Sequence, residues 1–139
     1  MPDEPEDFWP AEIPDPSDPA PVALLKEQAM ILGQKMHGEL EGIVRTSTEE
    51  GTVFYSLYLK ANVLGDYLYK LLFIAHPAIG WSGDYPISAQ SSAGGSSVSI
   101  SNDNEFREWL RAQLSSDYVR SALGNLRRYI RERQSTRVG

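Results

Sequence analysis

Residues 39–62 read ELEGIVRTSTEEGTVFYSLYLKAN, and their alternation decides the fold. Within residues 52–62, Val53, Tyr55, Leu57, Leu59 and Ala61 occupy every second position, the period of a strand that buries one face. Residues 39–48 supply a second strand, and Glu49-Glu50-Gly51 between them reads as a tight turn. A hairpin is the simplest account.

Beyond the hairpin, Leu64-Gly65-Asp66 reads as another turn, and Tyr67 to His76 as a central strand with apolar residues on both faces. Tyr67, Tyr69, Leu71 and Phe73 would share one face, and Leu68, Leu72 and Ile74 the other. Leu68, Leu71, Leu72 and Ala75 also fit a short helix, and Pro77 ends either element. Residues 77–97, rich in glycine and serine, predict a loop with a short edge strand at Tyr85 to Ala89, and Val98 and Ile100 alternate with serines in a last strand. Asn102 followed by Glu105 reads as a capping box opening a helix through Phe106, Trp109, Leu110 and Leu114. Ser115 or Ser116 then caps a final helix carrying Val119, Ala122, Leu123, Leu126 and Ile130.

On the N-terminal side, Pro21 suits the first turn of a helix from Val22 to Met36. Val22, Leu25, Ala29, Leu32 and Met36 form one stripe; Leu24 and Ile31 lie almost opposite, with Met30 between. That helix is either buried on two sides or offers a stripe to another molecule. The order predicts an α+β fold: an N-terminal helix, an antiparallel sheet of three to five strands, and two C-terminal helices packed on the sheet. Residues 1–21 hold seven of the nine prolines and no apolar periodicity, and are expected to be a disordered acidic tail in which Phe8, Trp9 and Ile13 form a small apolar cluster. Residues 22–134 are expected to be a single domain and 135–139 a frayed end, since 139 residues at 41 % hydrophobic content suffice for one core.

Composition narrows the chemistry. Without cysteine the chain has no thiolate, which excludes disulfides, zinc–sulfur sites, iron–sulfur clusters and cysteine nucleophiles. No apolar run approaches the ~20 residues that span a bilayer, and the start is acidic where a signal peptide is basic, so a cytoplasmic protein without membrane contact is expected. The net charge of −6 argues against a surface that coats nucleic acid throughout. The charge is unevenly spread, because residues 1–21 contain seven acids and no base, whereas residues 118–139 contain six arginines and one glutamate.

Few residues suggest catalysis. His37 follows a helix, where a cation complements the dipole, and His76 precedes Pro77 beside a loop containing Asp84. Glu39, Glu41, Glu49 and Glu50 read as solvated carboxylates. The serine-glycine run at 91–97 lacks the Gly-Lys-Ser/Thr ending of a phosphate loop, and no nucleophile elbow surrounds any serine. Tyr55, Tyr58, Tyr67 and Tyr69 make the middle aromatic with only Arg45, Lys60 and Lys70 interleaved, so cross-strand packing of Tyr55 with Tyr67 or Tyr69 is favoured over a nucleic-acid platform.

The sharpest charge pattern lies in the last helix. Counted from Val119, Arg120, Arg127, Arg128 and Arg131 fall between about 80° and 180°, beside an apolar face between about −60° and 40°, with Gly124 leaving the stripe open. Guanidinium groups there suit phosphate or an acidic partner, although a solvated helix end is the plainer reading. The expectation is therefore a non-enzymatic interaction module with no cofactor or metal, engaging a protein partner or a second copy through Leu24, Ile31, Arg120, Arg127, Arg128 and Arg131. The alternative is nucleic acid or a phosphate ligand held by the arginines, and the third choice a small enzyme using His76 with Asp84. The acidic tail could also lie across the arginine stripe until a stronger ligand displaces it.

Overall fold

A computed structural model describes residues 5–12, 17–65, 67–81 and 83–136. Helix α1 (Ala20–Lys35) is followed by strands β1 (Glu41–Glu49), β2 (Thr52–Ala61), β3 (Tyr67–Pro77), β4 (Ile87–Ser91) and β5 (Val98–Ile100), then helices α2 (Asp103–Leu114) and α3 (Asp117–Thr136). The strands form one antiparallel sheet in sequence order, β1-β2-β3-β4-β5. The α+β reading holds. Residues 5–12 and 17–19 carry neither helix nor strand and are exposed or nearly so; Ile13 lies outside the described residues.

The first hairpin forms because Glu50 and Gly51 both adopt positive φ, 48° and 79°, the twist that a two-residue loop needs between paired Glu49 and Thr52. Residues 67–77 are strand and not helix, which the pairing with β2 along their length settles. The expected edge strand at 85–89 is instead β4, starting at Ile87 and lying inside the sheet, because Val98–Ile100 pairs along its outer side. Caps sit where the serines and Asn102 place them. Asn102 Oδ1 accepts the Glu105 amide at 2.9 Å, Glu105 Oε2 accepts the Ser101 amide at 3.0 Å, and Ser116 Oγ accepts the Val119 amide at 3.2 Å.

The core lies between one sheet face and the helices. Leu57, Leu59 and Ala61 of β2, Leu72 and Ile74 of β3, and Ile87 and Ala89 of β4 point inward against Val22, Leu25, Phe106, Val119, Leu126 and Ile130. Helix α1 lies on β1 so closely that Ala29 sits over Gly42.

A bulge in β3 corrects the expected division of its faces. Leu57 pairs with Leu72 but Tyr58 pairs with Lys70, which leaves Leu71 as the extra residue and reverses the alternation there. Tyr67, Tyr69 and buried Leu71, then Leu72, Ile74 and His76, all take the helix side. Phe73 and Lys70 therefore go to the other side. The same register separates Tyr55 from Tyr67 and Tyr69: Tyr55 lies opposite Ile74, with its ring 5.5 Å from that of His76.

Candidate interaction surfaces

All three helices cover one face of the sheet, and among the described residues nothing covers the other. Strand alternation and register assign that open face Ile43 and Arg45 of β1, Phe54, Ser56, Tyr58 and Lys60 of β2, and Leu68, Lys70, Phe73 and Ala75 of β3. An antiparallel sheet with one solvated side usually makes it polar. Here its middle is aromatic and basic. Phe54 and Phe73 meet edge to face with ring centres 5.9 Å apart, and Lys70 Nζ lies 5.7 Å from the Tyr58 ring centre and 5.6 Å from that of Phe73. The rings shade Ser56 and Ala75 yet stay partly exposed themselves, while Arg45 and Lys70 are exposed. The face's acids, Glu41 and Glu49, stand at the two ends of β1. Two cations, Arg45 and Lys70, and three rings thus share the middle of one surface, with Lys60 beside Glu41 at its end.

The two flanks of α3 make further surfaces. On one, Arg127, Arg128 and Arg131 border a shallow depression of about 480 Å³ over Gly124, with Glu132 at its rim. Arg128 also lies 5.2 Å from the Tyr129 ring centre, and Arg120 stands apart, 4.0 Å from Asp117. The sequence stripe is a real cluster for three of its four arginines. On the other flank, Leu64, Tyr67 and Tyr69 face Tyr118, Leu126 and Tyr129 across a groove of about 780 Å³, a volume usual for a small-molecule site. The Tyr69 and Tyr118 hydroxyls are hydrogen-bonded to each other in this groove.

That hydrogen bond, then partial burial, push the Tyr118 phenol from 10.0 up to about 12. A raised phenol favours the protonated fold, so its contribution to stability is full below pH 10 and disappears as pH rises through about 12. In an alkaline titration followed by phenolate absorbance, Tyr118 should ionise late together with Tyr85, whose phenol burial and then Asp103 also push up, and Tyr69→Phe should return only Tyr118 toward the ordinary range. A late component that Tyr69→Phe leaves undiminished would contradict the hydroxyl pair.

The two α1 residues go elsewhere. Leu24 is 6 % exposed, in the core cluster where α1 approaches Leu110 and Leu114 of α2, so it presents no surface to a partner. Ile31 is half-buried at a gap of about 140 Å³ shared with Leu57, Leu71, Val119 and Leu123. His76 is buried and stacked on Trp81 at 3.7 Å between ring centres; its Nδ1 donates to the Pro77 carbonyl at 2.7 Å, which leaves Nε2 to accept from the Tyr55 hydroxyl at 3.4 Å. Asp84 caps α1 instead, accepting the Ala20 amide at 2.9 Å. The structure does not bring His76 and Asp84 into a hydrogen bond. Among the described residues, no helix is long and apolar enough to cross a membrane.

The sequence reading missed the open face and the tyrosine groove. For the face a partial signal existed, since Phe54, Tyr58 and Lys60 alternate with the inward residues of β2. Compared with known proteins, the chain matches no family model, no curated protein and no solved structure.

Proposed function

We propose that the chain is a non-enzymatic, cytoplasmic protein-interaction module that holds an acidic protein segment carrying aromatic side chains across the open face of its sheet. The observation that carries this reading is the register, which gathers Phe54, Tyr58 and Phe73 with Arg45 and Lys70 on a face that none of the described elements covers. Rings supply apolar contact area, and the cations select carboxylates and repel basic segments.

A displayed library of random peptides tests it, with the full chain as bait. Selection should enrich peptides in which Trp, Phe or Tyr is flanked by Asp and Glu, and Phe73→Glu should abolish their capture. Enriched peptides that bind Phe73→Glu equally well would refute the face. The arginine depression on α3 supports a second reading, a phosphate or nucleic-acid ligand, because three guanidiniums converge there. Binding of single-stranded oligonucleotide that falls steeply with salt and is lost in Arg127→Glu would favour that reading.

A further inference from the structure

We propose that in solution the chain's own N-terminal segment, residues 6–12, which the structure leaves exposed, folds over the open sheet face, with Phe8 and Trp9 against the Phe54 and Phe73 rings and the neighbouring acids against Arg45 and Lys70. The inference rests on the reading of that face as an interaction surface, and adds regulation to it: a partner segment must displace the tail.

Three observations point to this occupant. Phe8 and Trp9 are 87 % and 77 % exposed, and aromatic side chains of that size gain by leaving water. They stand among Glu6, Asp7 and Glu12, with the Asp7 carboxylate accepting the Trp9 amide at 2.9 Å, so the segment has the chemistry the face selects.

Charge agrees. The first 21 residues carry seven acids and no base, and the rest of the chain therefore has an excess of one positive charge. The arginine depression on α3 offers charge as well, but none of the residues lining it is aromatic.

Reach agrees too. The tail leaves the domain at Pro19, beside Asp84 in the loop that follows Pro77, at the end of the sheet where Thr52 pairs with Pro77. Phe54 lies two residues from that end and pairs with Ala75. Trp9 lies ten residue steps before Pro19, and ten steps extend up to ~33 Å, enough to turn the end of a sheet layer of ~10 Å and lie over Phe54 and Phe73. The tyrosine groove opens at the Tyr67 end of β3, about 30 Å away along the strand, and would need the tail fully stretched.

The absence of cysteine makes a clean experiment possible in the full chain. Ala11→Cys carrying a nitroxide label should broaden away the amide signals of Arg45, Phe54, Lys70 and Phe73 at low salt, and high salt or Phe8→Ser with Trp9→Ser should restore them. Mixing labelled copies with isotope-enriched, unlabelled copies should give no broadening. Broadening in that mixture would assign the face to a second copy's tail and overturn the proposal. So would broadening around Arg127 and Arg131, or broadening confined to the residues beside Pro19. None of these three results removes the open face as a partner site, which is read separately through peptide binding to Phe73→Glu.

Discussion

Gly42→Ala should destabilise the domain by about 3 kcal/mol, the upper part of the range for overpacked sites. A methyl group at residue 42 would lie 2.6 Å from the Ala29 Cα, 2.8 Å from its Cβ and 3.0 Å from its carbonyl oxygen. Two of those atoms are backbone, so no side-chain rotation relieves the contact, and α1 must lift from β1. Lifting it draws Val22 and Leu25, both almost fully buried, away from the sheet. The midpoint of thermal unfolding should fall by about 10 °C for a domain of this size. Ala29→Gly in the same chain should restore only a minor part, because it removes the Cβ contact and leaves the two backbone contacts. A loss below about 0.5 kcal/mol, the size of an ordinary surface change, would show that the helix does not approach the strand this closely.

Much of the order of elements was legible because local chemistry marked it, although Tyr67 to His76 fitted a strand and a short helix alike. Alternation marked β2, Glu50-Gly51 the hairpin, Asn102 with Glu105 the start of α2, and Ser116 the start of α3. The side each residue faces was legible only where alternation ran unbroken. In β3 it did not. One extra residue at Leu71 reverses the pattern, and nothing in Tyr67 to His76 announces a bulge, since both faces of that strand are apolar. Phe73 was consequently assigned to the tyrosines' face, and the gathering of rings and cations on the opposite face went unseen.

The burial of Leu24 had a similar cause. Periodicity showed that α1 is apolar on two sides, but only tertiary packing decides whether the second side meets α2 or a separate molecule. The arginine stripe was legible because it lies within one helix, where ~100° per residue fixes relative positions. The tyrosine groove joins residues 64–69 to residues 118–133, and no local pattern couples segments so far apart.

Phe73→Glu should weaken binding of acidic aromatic peptides about a hundredfold while leaving the fold nearly as stable as before. The stability half follows from position. Phe73 is outside the buried core, and its loss removes an edge-to-face contact with Phe54 at 5.9 Å and the Lys70 contact at 5.6 Å, together on the order of 1 kcal/mol. The binding half combines two losses at one point, an aromatic anchor at the centre of the face and a new carboxylate facing the ligand's own acids. Truncating such an anchor costs on the order of 2 kcal/mol or more, and like-charge repulsion raises the total to about 3 kcal/mol, equivalent to about a hundredfold. Lys70→Glu keeps the ring and reverses only the charge, so its smaller loss should diminish at high salt, whereas the Phe73→Glu loss should largely persist. Arg127→Glu, on the far side of the molecule, should change affinity little. The opposite ranking, with Arg127→Glu costly and Phe73→Glu neutral, would move the interaction surface from the sheet to α3.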